Sequence, residues 1–588
     1  MSYPNPLKVL HIDLSTQKIR LDKRADLHDY LGGVGVAIKL FEENLKPDLD
    51  PLHEEQPIVL AHGAATFVFP VITKTVAVFR SPLTGELGET YAGGRLAMTM
   101  LMAGYDAMVI TGKAAKPSYL AIGNNDVLVK DARPIWGLSS DNSALVIRNN
   151  EPGGGMRSII RIGPAGENLV RFASVNVDTY RHFGRLGLGA VFGSKLLKAI
   201  SVVRGDRSLP IGNFKDYFKV FRDIFKKVTA TEVLAKYHDM GTSINIEPLN
   251  AAGALPTRNL QQTRFEQSDR ITGEVFAREK LHRKMACTGC PVGCIHIGQY
   301  RHEFGEGYEY EAVSVGYDYE LIFALGSYLS IKTPDEILKL IDRVEYYGLD
   351  AMSTGVILGW ATEAYEKKLI SREQTLVPLT FGDTENYLTA MEHLAWQKNT
   401  FYKNLGLGVA KAAEFYGGQG FAMQIGGNEM TGYHTGYGSI VGQAVGARHS
   451  HLCNGGYALD QSMKAFDQEK LVEALFREEK ERCLLNSLII CLFARKVYDR
   501  PTILSALNSL GYSLTNEDLS EIADRIYRTK LRVKKALGFD LLDLKIPQRM
   551  FKTPSMKGVL DAGTAYDLIA RFDQKNHDLL KQGPGRQI

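Results

Sequence analysis

A run of three closely spaced cysteines, Cys287-Thr-Gly-Cys290-Pro-Val-Gly-Cys294, contains the residues of this chain best suited to metal chemistry. The 588-residue chain has only six cysteines, and a C-x2-C-x3-C run is too tight for a disulfide framework. Thiolates at this spacing suit a soft metal or an iron–sulfur cluster, which needs a fourth ligand. Structural zinc is the alternative, although zinc ligands usually come as two close pairs. The candidates for the fourth ligand are Cys453, Cys483 and Cys491.

The overall composition excludes several classes of protein. The 70 Lys and Arg are nearly balanced by 66 Asp and Glu, whereas a general nucleic-acid binder has a concentrated basic excess. The first residues lack the basic-then-apolar order of a signal peptide, and no stretch approaches the ~20 apolar residues of a membrane helix. Few cysteines, none spaced as in a secreted scaffold, suit a reducing compartment. We therefore expect a cytoplasmic protein that binds neither nucleic acid nor membrane.

The elements that must position the cysteines are of two kinds. The first ~210 residues alternate apolar and polar positions, which predicts strands at 7–14, 18–21, 57–61, 75–79, 107–111, 120–122 and 158–162. Later apolar residues recur at three- and four-residue steps, which predicts helices such as 213–229, 334–347 and 516–537. The predicted fold class is α+β, with no internal repeat. We predict a β-rich domain over 1–208 and two mainly α-helical domains over 209–415 and 416–588.

Glycine runs are concentrated in the β-rich part. None matches a dinucleotide fingerprint or a Walker-type phosphate loop. Each run alone is typical of a turn, but their number in one domain favours a surface that approaches a bulky cofactor closely. The segment Gly193-Ser-Lys195 is predicted to begin a helix that reaches Ala199. The runs are Gly32-Gly33-Val34-Gly35, Gly93-Gly94, Gly163-Pro-Ala-Gly166 and Gly184-Arg-Leu-Gly187-Leu-Gly189.

An ordered set of short motifs extends over nearly the whole chain. With these motifs the chain resembles the tungsten-containing aldehyde:ferredoxin oxidoreductase family. Besides the cysteine run, the motifs are Tyr30-Leu-Gly-Gly-Val-Gly-Val-Ala, Arg80-Ser-Pro-Leu-Thr-Gly85, Ala103-Gly-Tyr-Asp-Ala107, Ile162-Gly-Pro-Ala-Gly-Glu-Asn168, Gly193-Ser-Lys195-Leu-Leu-Lys-Ala199, Asp318-Tyr-Glu320, Ala324-Leu-Gly326 and Gly348-Leu-Asp350-Ala-Met-Ser-Thr354.

The resemblance implies a tungsten (or molybdenum) ion held by the dithiolenes of two pterins, with Mg²⁺ bridging the pterin phosphates and a [4Fe–4S] cluster alongside. It implies oxidation of a small aldehyde to a carboxylic acid, with ferredoxin or a small ferredoxin-like subunit as electron acceptor. A homo-oligomer is a further expectation. Departures from the family pattern keep two other functions open. These are reduction of an activated acid or aromatic thioester on the same cofactor, and a tungsten-free electron-transfer subunit.

The resemblance also assigns cluster ligands and cofactor contacts in the helical part. Cys287, Cys290 and Cys294 match three cluster ligands, and the fourth closes the family motif D-x-x-G-L-C. That motif is here Asn486-Ser-Leu-Ile-Ile-Cys491, so Cys491 is the preferred fourth ligand. Asparagine stands where the family has a pterin-binding aspartate. The paired motif, Glu345-Tyr-Tyr-Gly348-Leu-Asp350, has glutamate where aspartate is commoner. The implied cofactor-binding residues of the two segments are Glu345, Gly348, Leu349, Asp350, Asn486 and Ile490.

In the β-rich part, Lys74 and Arg185 match positions where the family places basic residues against the pterins. The first of these is usually arginine, and lysine keeps the charge but loses the bidentate fork. The residues expected to line the same surface are Gly93, Gly94, Arg95 and Gly187.

The family uses a glutamate and a histidine near the tungsten to handle the proton released in aldehyde oxidation. Glu320 keeps the family's spacing to the following Leu-Gly, and Glu311 is its competitor. His451 is the preferred histidine and His449 the second choice, because the family's histidine aligns with Leu452. Two further residues of a glycine-rich stretch are predicted either to reach this pocket or to pack as ordinary core, namely Tyr433 and His434.

Overall fold

The structure is a computed structural model that describes residues 5–123, 126–209, 211–305, 307 and 309–583. Its N-terminal part is rich in strands, and every strand predicted from the sequence is present. The strands are β1 (Leu7–Asp13), β2 (Lys18–Arg24), β3 (Ile58–Ala61), β4 (Thr75–Arg80), β5 (Leu87–Ala92), β6 (Ala107–Thr111), β7 (Ser118–Ile122), β8 (Val127–Asp131), β9 (Arg157–Arg161), β10 (Val175–Val177), β11 (Arg181–Phe183) and β12 (Leu197–Val203). The helices are α1 (Gly33–Asn44), α2 (Leu96–Ala103), α3 (Ser140–Asn150), α4 (Pro164–Glu167) and α5 (Leu188–Ser194).

The strands form two six-stranded sheets with the same topology. Their orders are β2-β1-β6-β3-β4-β5 and β8-β7-β12-β9-β10-β11, so each strand of the first sheet has a counterpart in the second. The parallel pairs β1–β6 and β7–β12 occupy equivalent places. Helices α1 and α3 follow equivalent strands, and α2 and α5 precede equivalent strands. The prediction of no internal repeat is therefore wrong at the level of the backbone, because the two halves share topology without visible sequence similarity.

Apolar side chains of both sheets form one core. Phe79 and Met108 of the first sheet belong to the same buried cluster as Ile160 and Phe183 of the second. The helix predicted from Gly193 to Ala199 is wrong, since α5 ends where that helix was to begin and β12 follows. Leu196 between them has a positive φ of 54°, which an α-helix cannot contain, and the β-branched Ile200, Val202 and Val203 at the end of β12 favour a strand.

The middle part of the chain is mainly helical, as predicted, but contains a three-stranded antiparallel sheet. The cysteine run connects two strands of this sheet, although the sequence placed it among helices. The alternation over 295–300, Ile-His-Ile-Gly-Gln-Tyr, is the signal that could have shown the strand. The elements are α6 (Phe214–Ala230), α7 (Glu232–Asp239), α8 (Ile246–Ala251), α9 (Gly273–Glu279), β13 (Leu281–Met285), β14 (Ile295–Gly305), β15 (Glu309–Tyr317), α10 (Tyr319–Leu325), α11 (Pro334–Tyr347), α12 (Ala351–Glu366), α13 (Arg372–Thr375), α14 (Thr384–Ala395), α15 (Thr400–Leu405) and α16 (Val409–Tyr416).

The C-terminal part is helical apart from one short hairpin. Its elements are β16 (Gln424–Ile425), β17 (Asn428–Glu429), α17 (Tyr437–Val445), α18 (Gly456–Ser462), α19 (Gln468–Ser487), α20 (Arg500–Ser509), α21 (Asn516–Ala536), α22 (Arg549–Lys552) and α23 (Ala562–Lys581). Over the ranges that the structure describes, none of the helices has both the length and the apolar character needed to span a bilayer.

The two halves of the N-terminal part are covered by different helices. Val34 of α1, in the first half, shares an apolar cluster with Leu488 and with Ile526 of α21. Phe172, in the second half, belongs to a cluster with residues of α10, α11 and α12. The molecule is therefore joined through several interlocking cores, and the predicted boundaries at 208/209 and 415/416 stay a prediction.

Candidate functional site

The cysteine run forms a tight loop between β13 and β14. The backbone N–H of Cys290 donates to the carbonyl of Cys287 at 3.0 Å. Gly289 and Gly293 have positive φ angles of 79° and 63°, a conformation that glycine adopts at little cost. These turns keep three thiols on one short loop.

Cys491 reaches this loop from the C-terminal part. The residue before it, Ile490, forms an antiparallel backbone bridge with Ile72, and the N–H of Cys491 donates to the carbonyl of Val71 at 3.1 Å. The bridge ties the segment after α19 to the segment that leads into β4. The position of Cys491 is therefore fixed by the first half of the N-terminal part.

The thiols of this group affect one another's pKa. Burial, and after it the nearby Cys491 thiol, raises the pKa of Cys294 to about 11 and that of Cys290 to about 12. Burial also raises the pKa of Cys453 and of Cys483, but these two lie elsewhere, among other charged side chains. The structure brings Cys491, and neither of the other two candidates, to the cysteine run.

The spacing of the thiols bears on the choice between zinc and a cluster. Structural zinc needs four ligands within about 2.3 Å of one ion. Among the residues that the structure describes, no group of three or more His, Cys, Asp or Glu meets such a requirement. In an iron–sulfur cluster each thiolate binds a different iron, so its four thiols stand further apart. The cluster therefore stays a prediction, based on the cysteine spacing and the family resemblance.

Gly93 and Gly94 lie directly against the cysteine loop. A Cβ atom on Gly93 would stand 2.5 Å from Sγ of Cys287, which is closer than real contacts allow. A backbone N–H of the loop donates to the carbonyl of Gly94 at 3.2 Å, and Gly94 has a φ of 102° that favours glycine. Next to them, Nε of Arg95 lies 3.8 Å from a carboxylate oxygen of Asp178. The β5–α2 connection of the first half thus contacts the cysteines.

The equivalent β11–α5 connection of the second half contains Arg185 and Gly187. Nε of Arg185 lies 3.3 Å from Oδ2 of Asp350, and its Nη2 donates to the carbonyl of Glu429 at 2.8 Å. Its Nη1 is buried without a hydrogen-bond partner among the described residues. Gly187 precedes α5 with a φ of 85°. The Arg185 guanidinium group is therefore held beside α12, and its Nη1 can still donate a hydrogen bond to a ligand.

The segment from Gly348 to Asp350 connects α11 to α12. Gly348 ends α11 in the left-handed conformation, and Asp350 begins α12 by accepting the N–H of Met352 at 3.1 Å. Leu349 between them forms a backbone bridge with Ala173. This bridge is the counterpart of the one between Ile72 and Ile490, so each half of the N-terminal part is joined to one of the two paired motifs.

Glu345, in the last turn of α11, has a side chain that is only 12% exposed. Its carboxylate lies 3.8 Å from Nε2 of His182. Burial, followed by the charges of Asp141 and Asp342, raises the pKa of Glu345 to about 8, although the nearby Arg181 opposes the rise. A neutral carboxyl at this position can donate as well as accept a hydrogen bond.

Lys74 and Asn486 belong to the first half's side of the site. Burial raises the pKa of Cys294, and the half-buried Lys74 ammonium group is among the charges that oppose the rise. Asn486 is buried near the end of α19, and its backbone carbonyl faces Gly33 at the start of α1.

The predicted acid–base residues Glu320 and His451 are in contact. Oε1 of Glu320 lies 3.1 Å from Nε2 of His451, although the pair is not aligned as a hydrogen bond. Glu320 stands in the first turn of α10, and its Oε2 accepts the N–H of Gly432 at 3.4 Å. Nδ1 of His451 is buried without a partner among the described residues. Both groups therefore retain bonding capacity for a substrate or a water molecule.

Tyrosine rings surround this pair. Tyr433 stacks on Tyr457 with ring centroids 4.2 Å apart, and the two rings lie 5.4 and 5.6 Å from the His451 ring. Tyr319 packs on Tyr433 at 5.0 Å. Burial raises the pKa of Tyr433 well above its usual value, so its hydroxyl stays neutral. The surroundings are aromatic, with a few polar atoms.

Tyr457 and Tyr237, which interact with each other, connect the Glu320–His451 contact to the cysteines. Burial raises the pKa of Tyr457, and Glu320 adds to the rise. Burial also raises the pKa of Tyr237, and Cys491 adds to it there. Tyr237 stacks on Phe493, two residues after Cys491, with centroids 4.1 Å apart.

Comparison with known proteins accounts for this combination. The model of the aldehyde ferredoxin oxidoreductase N-terminal domain matches residues 9–205, and the model of domains 2 and 3 of the same enzymes matches residues 219–575. The chain belongs to the aldehyde ferredoxin oxidoreductase family. It is therefore an oxidoreductase, as the resemblance predicts.

Relatives in this family cover nearly the whole chain. The tungsten-containing aldehyde ferredoxin oxidoreductases of Thermococcus kodakarensis and Pyrococcus furiosus are each 31% identical over 95% of this chain and 93% of their own length. The aliphatic sulfonate oxidoreductase, WOR-like subunit, of Pyrococcus furiosus is 29% identical over 90% of this chain and 86% of its own. Among solved structures, the active-site complex BamBC of benzoyl coenzyme A reductase matches with a TM-score of 0.80. At 18% identity over 97% of this chain and 94% of that one, it shows a common fold.

Other family candidates lie away from the acid–base pair. Nδ1 of His449 donates to the Ala444 carbonyl at 3.0 Å, and its Nε2 is 3.3 Å from Glu86 and 3.2 Å from Nζ of Lys534. Glu311 is exposed on β15. His434 is bonded to a backbone carbonyl, and burial lowers its pKa to about 4. The structure does not bring these three residues to Glu320.

The sequence did not single out Arg181, although this residue lies at the centre of the site. Its side chain packs against Gly93, and its Nε is buried without a hydrogen-bond partner among the described residues. Its charge acts on both Cys294 and Asp318, so it stands between the cysteines and the start of α10. The spacing Arg181-His-Phe-Gly-Arg185, which adjoins a glycine run, is the signal that could have indicated it.

The residues present fit the cofactors of this family. Arg181 and Arg185 are half-buried, and each has one buried guanidinium nitrogen without a hydrogen-bond partner among the described residues, which suits them to an anionic group such as a phosphate. The thiols supply a donor set typical of an iron–sulfur cluster. The duplicated halves present two equivalent surfaces, each next to one paired motif.

Proposed function

We propose that this protein oxidises aldehydes to carboxylic acids at a tungsten ion held by two pterins. Its electrons leave one at a time through a [4Fe–4S] cluster to ferredoxin or a ferredoxin-like subunit. The observation that carries the proposal is the contact between Glu320 and His451, which lie 3.1 Å apart in an aromatic pocket beside the four thiols. Family membership supports the same reaction class.

The two halves supply the proposed pterin contacts. Cys287, Cys290, Cys294 and Cys491 are the proposed ligands of the cluster, and Mg²⁺ would bridge the pterin phosphates. When bound, the tungsten cofactor supplies two-electron redox chemistry that no side chain can perform. The proposed contacts are Lys74, Gly93, Gly94, Arg95, Asn486 and Ile490 for one pterin, and Arg185, Gly187, Glu345, Gly348, Leu349 and Asp350 for the other.

The chain's own chemistry concerns protons. Conversion of an aldehyde and one water to a carboxylic acid releases two electrons and two protons. The Glu320 carboxylate can accept a proton from water while the Gly432 N–H holds its other oxygen, and His451 can pass that proton onward. The surrounding tyrosine rings exclude bulk water and strengthen electrostatic interactions in the pocket.

A combined metal and activity assay on anaerobically purified protein tests the proposal. We expect tungsten or molybdenum together with about four irons per chain, as a [4Fe–4S] cluster requires. We also expect aldehyde-dependent reduction of benzyl viologen. An iron-loaded protein without tungsten or molybdenum would contradict the proposal, and so would reduction of an aromatic thioester without any aldehyde oxidation.

A further inference from the structure

Helix α6 carries a row of phenylalanines on its outer surface. Phe214, Phe218 and Phe225 are 66%, 46% and 41% exposed, and they recur at helical spacing along one face. Phe214 and Phe218 stack with centroids 5.8 Å apart, and Phe225 stacks on Phe221 at 6.0 Å. We refer to Phe214, Phe218 and Phe225 as the phenylalanine strip. Single exposed apolar residues are normal, but a contiguous row of large ones marks an interaction surface.

The other face of α6 is anchored in the core. Ile224 and Val228 are buried in the same apolar cluster that includes Cys290 and Cys294. The hydroxyl of Tyr217 donates to the carbonyl of Val68 at 2.9 Å. Helix α6 therefore has two apolar faces, and packing within this chain buries only one of them.

The strip lies on the side of the molecule where the cysteines approach the surface. Tyr217 of α6 bonds to the segment 68–71, which in turn accepts the N–H of Cys491. The following helix, α7, contributes His238, whose Nδ1 is 2.6 Å from the carbonyl of Val292 inside the cysteine run. The same helix contributes Tyr237 to the stack on Phe493. Helices α6 and α7 thus form one border of the cysteine group.

Positive charge predominates around the strip. The 17 residues of α6 contain five Lys and Arg but two Asp, whereas the whole chain of 588 residues has a net charge of +4. Lys215, Lys219, Arg222 and Lys226 are all exposed between or beside the phenylalanines. An apolar strip with a basic border is complementary to an apolar patch with an acidic border.

We infer that the phenylalanine strip and its basic border are the docking surface for an acidic one-electron carrier protein. This inference rests on the proposed function, because two electrons per aldehyde must leave near the four thiols and reduce two one-electron carriers. Apolar contact with the strip gives affinity, while the lysines orient the acidic carrier during encounter. The position of the strip beside the cysteines favours an electron carrier over other partners of the same charge.

Direct binding of an acidic ferredoxin with a single [4Fe–4S] cluster to the holoenzyme tests this inference. We expect Phe214→Gln/Phe218→Gln to weaken the Kd at least about tenfold, because it removes two central apolar contacts. We expect Lys215→Glu/Lys219→Glu to weaken binding at low salt and to reduce its salt dependence. Glutamine and glutamate are good helix formers, so α6 should persist in both variants.

A matched control uses residues on another surface. Phe415 is 59% exposed on α16, and Lys403 is exposed on α15, so Phe415→Gln/Lys403→Glu changes the same residue types elsewhere. It should bind the ferredoxin like the parent. Steady-state turnover with two electron acceptors separates the docking proposal from the proposed aldehyde oxidation. The α6 variants should raise the KM for ferredoxin about tenfold and leave the benzyl viologen rate unchanged.

Several outcomes would overturn the inference. One is equal ferredoxin binding by the parent and both α6 variants. Another is that the parent sediments with anionic phospholipid vesicles while the phenylalanine variant does not, which would identify the strip as a membrane-binding surface. A third is dissociation of a parent dimer by the phenylalanine substitutions, which would identify a second copy of this chain as the partner. Absence of dye reduction in the parent would reject the proposed function, while the binding measurement would still decide the docking surface.

Discussion

Replacement of Glu320 by glutamine isolates the proposed proton transfer from the geometry that supports it. Glutamine has nearly the same shape, and its carbonyl can still accept the N–H of Gly432, which is 3.4 Å from Oε2 in the parent. The amide cannot accept a proton from water. General acid–base catalysis is worth about 10²- to 10⁴-fold, or about 2.7–5.4 kcal/mol of transition-state stabilisation. We therefore expect kcat/KM for aldehyde oxidation to fall by about that factor, with metal content unchanged.

The assay is steady-state reduction of benzyl viologen by an aldehyde, with tungsten and iron measured on the same samples. Glu311→Gln is the matched control, since Glu311 is the exposed competitor in the sequence, and its activity should not change. Because Glu320 and His451 are in contact, Glu320→Gln/His451→Gln should be about as slow as the slower single variant. Retention of more than about one-tenth of the parent activity by Glu320→Gln, below the range for acid–base catalysis, would refute the reasoning.

Two further variants test other parts of the site. Cys491→Ser should lose most of the visible absorption and part of the iron of the cluster, whereas Cys483→Ser should keep both; equal loss in the two variants would contradict the assignment. Lys534→Met should lower the melting temperature at pH 7 while the exposed neighbour Lys535→Met should not. Burial would raise the pKa of Glu86, but Lys534, 2.8 Å away, helps to hold it at about 2, a shift from 4.5 that corresponds to about 3 kcal/mol. This folded-state pKa lies below the unfolded one, so the stabilisation is present above pH 4.5 and declines as the pH falls towards 2; a melting-temperature difference that does not narrow over that range would reject this explanation.

Local sequence patterns predict the elements of the fold better than its organisation. The alternation of β4 and the periodicity of α11 are local properties, so both could be predicted with nearly correct ends. The duplicated sheet topology could not be predicted, because equivalent positions in the two halves need only be apolar and need not be identical. The sheet of β13 to β15 was missed because the outer residues of β15 are exposed on both faces, so neither face has the continuous apolar side chains of a buried strand.

For the site, residue types and the family resemblance identify candidates, while the fold decides which of them meet. His449 and His451 are two residues apart, yet one faces Glu86 and Lys534 and the other faces Glu320. No periodicity could separate them, because the loop between α17 and α18 is irregular and His449 has a positive φ of 51°. Arg181 was missed for a similar reason, since its role depends on contacts with residues that are distant along the chain.

The two departures from the family's aspartates have a common physical consequence. Asn486 is neutral by its chemical nature, and Glu345 is largely neutral at pH 7 because burial raises its pKa to about 8. Asn486 belongs to the motif whose Ile490 forms a backbone bridge to the first half of the N-terminal part. Glu345 belongs to the motif whose Leu349 forms the equivalent bridge to the second half. Both side chains can donate as well as accept hydrogen bonds, whereas an ionised aspartate only accepts. We therefore expect each of the two surfaces to place a neutral hydrogen-bonding side chain, Asn486 or Glu345, against a bound pterin.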